Sequence, residues 1–117
     1  MSSDELENTI KNFVDKYNKN IKLQNMLKNW SSKVLIWIRN INKGFVVRIE
    51  KGKVVEITKS ENFNEGNVKI VGDESILIDM FKGIKNPSSL YLNGVIEVYG
   101  PERDQIILDK IVEEIWG

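Results

Sequence analysis

The polar side chains of this 117-residue chain offer little that could catalyse a reaction. The chain has no cysteine, which excludes a thiol nucleophile, a disulfide and a zinc–thiolate site. It also has no histidine, the commonest general base and a frequent metal ligand. Ser88 and Ser89 therefore lack a histidine that could activate them, and no lysine base stands at a motif spacing from either. The eight glycines fall at predicted turns and form no phosphate-binding loop.

Charged residues that could work in pairs occur in two places. Asp79 and Lys82 share a helical turn, and Arg103, Asp104 and Lys110 are near one another in the last predicted helix. Pairs of this kind are usually exposed ion pairs with little effect on stability. We therefore predict that the chain by itself is not an enzyme.

The overall charge argues against a nucleic-acid partner. Lys plus Arg and Asp plus Glu both total 17, so the net charge is zero, whereas nucleic-acid binders usually carry a basic excess on one face. One local group of lysines is interpreted as a solvated helix face, with contact to an anionic membrane or a phosphate as the alternative. Its members are Lys16, Lys19, Lys22 and Lys28.

Length and hydropathy bound the class of protein. A chain of 117 residues suffices for one domain with one substantial core, so we predict a single domain over residues 1–117. No apolar run approaches the roughly 18 residues of a membrane-spanning helix. Residues 1–17 are acidic and amphipathic, unlike a secretory signal peptide. The expected location is the cytoplasm, with at most transient membrane contact.

Two apolar stripes at helical spacing predict an N-terminal helical region over residues 4–31, followed by a sheet with further helices over 33–117. The first stripe is Leu6, Ile10, Phe13, Val14 and Tyr17, and the second is Leu23, Met26, Leu27 and Trp30. Because a one-sided stripe must be buried, we expect both helices to pack on the core.

The next segment predicts an antiparallel meander of three strands. The strands are Lys33–Arg39, Phe45–Glu50 and Lys53–Thr58, with turns at Asn42-Lys43-Gly44 and Lys51-Gly52. Apolar and polar residues alternate, so one face should meet the core and the other water. In the third strand the alternation places Val55 and Ile57 on the inner face.

Residues 66–100 predict a strand, two short helices and a last strand. Asp73 is placed to cap the first helix, and Gly83 to end it in a left-handed conformation. Asn86-Pro87 reads as an N-cap followed by proline at the first helical position. A strand over Val95–Tyr99 and a helix over Gln105–Trp116 complete the chain.

The order and spacing of these residues resemble the sterol carrier protein family of lipid-binding domains. The residues that carry the resemblance are Gly72-Asp73, Ile76-Leu77, Met80, Gly83, Asn86-Pro87, Leu90, Gly94, Ile96, Val98 and Gly100. The match is strongest over residues 66–100, and over 33–65 only the meander and its turns agree. Trp30, just before the first strand, is similar to a tryptophan of a bacterial subgroup of that family.

The resemblance implies an α+β fold: a five-stranded mixed sheet, mostly antiparallel, covered on one face by helices. It also implies an apolar tunnel between sheet and helices that takes a sterol, a fatty acid, a fatty acyl-CoA or a phospholipid without a metal or redox cofactor. Ser88 departs from the family pattern, since better-known carriers have glutamine after Asn-Pro. Headgroup contacts at that position are therefore not expected to carry over.

The inward-facing apolar residues are the candidate ligand-binding residues of this tunnel. They are Phe45, Val47, Ile49, Ile70, Ile76, Met80, Phe81, Ile96, Val98, Ile107, Ile111 and Ile115. The alternative is that they fill a solid core, with Trp37, Phe81 and the isoleucines closing the tunnel. Tyr91 and Tyr99 are candidates for orienting a headgroup, or else face the surface.

The sequence thus favours a non-catalytic lipid-binding or transfer protein that holds a fatty acid, fatty acyl-CoA or other lipid tail. The helix over Gln105–Trp116 is the expected gate. The rival interpretation is a cavity-closed interaction or scaffold module, which acts with a partner enzyme or as a homo-oligomer such as a homodimer.

Overall fold

A computed structural model describes residues 2–116 of the chain. Five helices and five strands follow one another in an α+β arrangement. The helices are α1 Ser2–Lys19, α2 Ile21–Met26, α3 Glu74–Phe81, α4 Pro87–Leu92 and α5 Glu102–Trp116. The strands are β1 Ser32–Ile38, β2 Lys43–Glu50, β3 Lys53–Ser60, β4 Val68–Gly72 and β5 Glu97–Tyr99.

The strands form one mixed sheet in the order β3-β2-β1-β4-β5. All neighbouring strands are antiparallel except β1 and β4, which run parallel. The predicted fold class, a five-stranded and mostly antiparallel mixed sheet with helices, is confirmed.

The central strand β1 is apolar on both faces, and this changes one expectation. On one face Val34, Ile36 and Ile38 join the main core under the helices. On the other face Leu35 and Trp37 form a smaller cluster with Val46 and Val71. Phe63, from the loop after β3, covers this cluster with its ring edge-on to Trp37 at 5.4 Å between centroids. The outer face is therefore partly covered rather than wholly open to water, because the loop that carries Phe63 shields the apolar residues that β1 presents on that face.

The third strand differs from simple alternation because of a β-bulge. The register shifts beside Arg48 and Ile49, so that Val54 pairs with Ile49 and Glu56 with Arg48. Val55 is the extra residue and is exposed, whereas Val54 and Ile57 pack against the core. The prediction that Val55 faces inward is wrong, because a bulge inserts a residue and reverses the alternation beyond it.

The end of α1 is fixed to this edge strand by hydrogen bonds. The Asn18 amide donates to the Val54 carbonyl at 3.1 Å and accepts from the Val54 N–H at 3.0 Å. The buried Tyr17 hydroxyl donates to the Gly52 carbonyl at 2.5 Å. Burial raises the pKa of Tyr17 to about 12, so the phenol stays neutral. These contacts hold α1 across the inner face of the sheet.

The two predicted caps in the second half of the chain have different outcomes. Asn86 accepts from the Ser89 N–H at 3.1 Å with Pro87 at the start of α4, so that cap is confirmed. The Asp73 side chain makes no such bond and instead accepts from Arg39. The Glu74 N–H donates to the Asn40 side chain at 3.1 Å, which supplies the cap from the loop after β1. A cap from elsewhere in the fold cannot be read from local sequence.

Candidate functional site

A cavity of about 430 Å³ lies between the inner face of the sheet and four of the helices. The sheet contributes Val34, Ile36, Val47, Ile49, Val54, Ile70 and Val98. The helices α1 and α3 contribute Ile10, Phe13, Val14, Tyr17, Met80 and Phe81. The remaining wall comes from α4, the turn after it and α5: Pro87, Ser88, Tyr91, Leu92, Ile96, Gln105, Ile106, Leu108, Asp109, Ile111 and Val112.

Eight of the twelve residues predicted to bind a ligand line this cavity. They are Val47, Ile49, Ile70, Met80, Phe81, Ile96, Val98 and Ile111. The other four belong to the apolar core or pack against it without lining the cavity: Phe45, Ile76, Ile107 and Ile115. Trp37, which was expected to help close the tunnel, lies on the opposite face of the sheet.

Two predicted isoleucines of α5 lie outside the cavity for different reasons. Apolar residues on this helix cover more than one face, so the stripe alone does not fix which side faces inward. The cavity meets six positions of α5, namely 105, 106, 108, 109, 111 and 112. Ile107 lies beyond the edge of the face that these positions form, whereas Ile115, three residues after 112 and four after 111, continues that face one turn past the cavity. Both isoleucines pack against the core.

The contribution of α1 to the cavity wall was not predicted. Its stripe indicated a buried helix, and the structure buries it, but Phe13 and Val14 also border open space. Phe13 stacks edge-on against Phe81 at 5.3 Å between ring centroids. Helical spacing shows that a face is buried and cannot show whether it meets side chains or a cavity.

The cavity opens to solvent between α4 and α5. Three residues with large side chains at this mouth line the cavity and are still well exposed: Leu92 at 81%, Ile106 at 50% and Tyr91 at 49%. Tyr99, the other predicted headgroup contact, is exposed and does not line the cavity. The Glu97 carboxylate beside it raises the pKa of Tyr99.

Few polar groups reach the cavity. The polar lining residues are Tyr17, Ser88, Tyr91, Gln105 and Asp109. The Tyr17 hydroxyl is already bonded to Gly52, and the Gln105 amide donates to the Gly100 carbonyl at 2.8 Å. The Ser88 hydroxyl donates to Asp109 Oδ1 at 3.1 Å. A mostly apolar enclosure with a few polar groups at its mouth is typical of sites for small apolar ligands.

Side chains fasten α5 at both ends, while its middle forms the cavity wall. The buried Trp30 indole donates to Asp104 Oδ1 at 2.9 Å near the start of the helix. Near the other end, Glu114 pairs with Lys22 at 3.0 Å, and the Trp116 ring packs on Gly83. Gly83 has φ +79°, and a Cβ there would meet the ring at 2.7 Å. Glycine at this position thus allows the left-handed conformation that ends α3 and leaves room for the Trp116 ring.

We expect Trp30→Phe to loosen the start of α5. The change removes the indole N–H, and one hydrogen bond is worth about 1 kcal/mol net. It also leaves a smaller ring in a buried position, so the free energy of unfolding should fall by at least about 1 kcal/mol. Hydrogen exchange should quicken most at the amides of α5, and urea unfolding gives the total loss. Asp104→Asn is the control, because its amide oxygen still accepts the bond. Equal exchange rates in Trp30→Phe and the parent would contradict the role given to this bond.

The part of the chain that the structure describes contains neither a metal-binding cluster nor a membrane-spanning helix. Residues 2–116 contain no cluster of three or more acidic, histidine or cysteine side chains arranged to hold a metal ion. None of the described helices is long and apolar enough to cross a membrane.

Comparison with solved structures decides the fold. The crystal structure of sterol carrier protein 2 superposes with a TM-score of 0.68 at 12% identity, over 92% of this chain and 93% of that one. The chain has the sterol carrier protein fold. Palmitated SCP2L2 from Aedes aegypti superposes with a TM-score of 0.66 at 14% identity, over 96% of this chain and 95% of that one.

The same fold also occurs inside a larger enzyme. The stereoselective inverting sec-alkylsulfatase Pisa1 from Pseudomonas sp. matches with a TM-score of 0.61 at 7% identity. The match covers 80% of this chain and 14% of that enzyme. No protein-family model matches this chain, and neither does any curated protein. Identities this low establish the sterol carrier protein fold alone and leave function to the site.

Proposed function

We propose that this protein binds one lipid tail in the cavity and shields it from water, without catalysing a reaction. The observation that carries the proposal is the apolar cavity of about 430 Å³ under the helices. Packed protein interiors leave few voids larger than a water molecule. The volume falls instead within the roughly 300–1,000 Å³ of small-molecule sites.

The energetics favour an alkyl chain as the ligand. Removing a sixteen-carbon chain from water yields on the order of 10 kcal/mol, at about 0.8 kcal/mol per CH₂. Part of this is offset by the freedom that the chain loses on binding. An apolar wall supplies the whole effect, so neither a metal nor a reactive side chain is required. A fatty acid, a fatty acyl-CoA or another lipid tail is the ligand that the sequence predicted.

We further propose that α5 is the gate. It forms one wall through Leu108 and Val112 and borders the mouth through Ile106. Its buried residue is Ile111, and its other attachments are side-chain contacts at the two ends, whereas the strands that form the sheet walls are held by backbone hydrogen bonds. Elements held by few buried contacts open at the lowest free energy. Transient membrane contact, homodimer formation and a cytoplasmic location stay predictions from the sequence.

Native mass spectrometry of freshly purified protein, followed by extraction and identification of lipid, tests the proposal. We expect a mass increment of one lipid per chain, which delipidation removes and added fatty acid or alcohol restores. A protein that purifies without lipid, takes up none of these lipids and forms a stable dimer would overturn the proposal in favour of an interaction module.

A further inference from the structure

The charge at the cavity mouth bears on which lipids can enter. Among the described residues, Asp109 is the only one that lines the cavity with a charge at neutral pH. Its Oδ1 accepts from the Ser88 hydroxyl at 3.1 Å, which orients the carboxylate between α4 and α5. No lysine or arginine of residues 2–116 lines the cavity. A headgroup that reaches this mouth therefore meets a hydrogen-bond acceptor with negative charge.

The groove beside Asp109 carries charges of both signs, whereas the cavity does not. This polar groove of about 470 Å³ adjoins the mouth and shares Pro87, Ser88, Asp109 and Val112 with the cavity. Lys85, Asp109 and Glu113 line the groove, and Lys16 Nζ lies 5.1 Å from the ring of Trp116, which lines it too. Asp109 is the member of this group that also lines the cavity, so a headgroup at the mouth meets its carboxylate first.

Carboxylate chemistry then sets the preference. The Asp109 carboxylate has only acceptor oxygens, and so has the carboxylate of a bound fatty acid. Two such groups close together repel and cannot hydrogen-bond while both are ionised. A hydroxyl or amide headgroup can donate to Asp109 and gains a charge-assisted hydrogen bond.

We propose that the mouth selects a lipid whose headgroup donates a hydrogen bond and carries no negative charge, such as a fatty alcohol or fatty amide. Asp109 accepts that bond and rejects a carboxylate, and Ser88 positions Asp109. This specificity rests on the proposed lipid binding, and it narrows the cargo away from free fatty acids.

Dodecanol and dodecanoate test the proposal, because they share a tail and differ in the headgroup. Each would displace a fluorescent dodecanol derivative from the delipidated protein at about pH 8, where the acid is ionised. We expect dodecanol to bind about tenfold more tightly or better. Asp109→Asn should lower the ratio of the dodecanoate Kd to the dodecanol Kd about tenfold, because dodecanoate is no longer repelled and the dodecanol hydroxyl loses its charge-assisted hydrogen bond. Asparagine keeps an oxygen that can accept from Ser88.

Glu56→Gln is the matched control. Glu56 is exposed on β3, pairs with Arg48 and does not line the cavity, and its substitution changes the net charge by the same amount. In this variant the ratio of the dodecanoate Kd to the dodecanol Kd should stay at the parent value. Two outcomes would overturn the selectivity alone. In the first, dodecanoate binds the parent as tightly as dodecanol does. In the second, Asp109→Asn leaves the ratio of the two Kd values unchanged. Failure of both lipids and of the labelled alcohol to bind would overturn the proposed function as well.

Discussion

Val98→Trp is expected to weaken lipid uptake at least about tenfold while the domain keeps its stability. Val98 is half-buried on β5, lines the cavity and pairs with Ile70 on β4. A large ring at this position points into open apolar space rather than into a packed core. It therefore gains buried surface, at about 25 cal/mol per Å², without the strain of overpacking. The ring takes the volume that an alkyl chain would occupy.

Titration with a fluorescent lipid measures uptake, and thermal unfolding of the delipidated protein measures stability. Val55→Trp is the matched control, since Val55 is also a strand valine but is exposed and lies outside the cavity. We expect parent-like uptake in the control. A Val98→Trp variant that is stable and binds lipid as the parent does would show that the tail does not enter this cavity.

Met80→Asp is expected to abolish uptake by placing a carboxylate in the cavity wall. Met80 is buried on α3 and lines the cavity. An ionised carboxylate there brings water into the apolar space and removes the burial that drives binding. The variant should also lose several kcal/mol of stability, because a buried charge without a partner is costly.

Circular dichroism shows whether the Met80→Asp variant is folded, so that a loss of lipid binding can be distinguished from a loss of folding. Met26→Asp is the control, because Met26 is exposed on α2 and does not line the cavity. We expect it to bind lipid and unfold as the parent does. Ile111→Asp repeats the test from a different helix of the cavity wall, α5. Undiminished uptake by folded Met80→Asp and Ile111→Asp proteins would rule out the cavity as the binding site.

Local sequence determined the secondary structure and most of the sheet pattern. Short turns such as Lys51-Gly52 join neighbouring strands, and alternation placed Val47 and Ile49 on the inner face of β2, where the structure has them. Asn86-Pro87 marked the start of α4 because a cap acts over three residues. Hydrogen bonds and periodicities that span a few residues leave a direct trace in the sequence.

The cavity itself was decided by how the elements pack. The same apolar residue types fill cores and line cavities. The sequence alone therefore could not show that Val47 lines the cavity whereas Phe45 lies in the core. The bulge at Val55 depends on pairing with β2, and the rotation of α5 depends on contacts with residues far along the chain. In the sequence Asp109 resembles any exposed charged residue, and only the packing of α4 against α5 places Ser88 beside it.

The sequence by itself therefore determined the order of the elements and most of the buried residues, because burial largely follows from side-chain polarity and local spacing. Val55 and Met26 are exceptions, since both were expected to face the core and both are exposed. The tertiary structure decided which buried residues enclose a cavity and which polar groups stand at its mouth. Those properties depend on distances between elements such as α1, α4 and α5, which lie far apart in the chain. Packing sets these distances, and no single element encodes them.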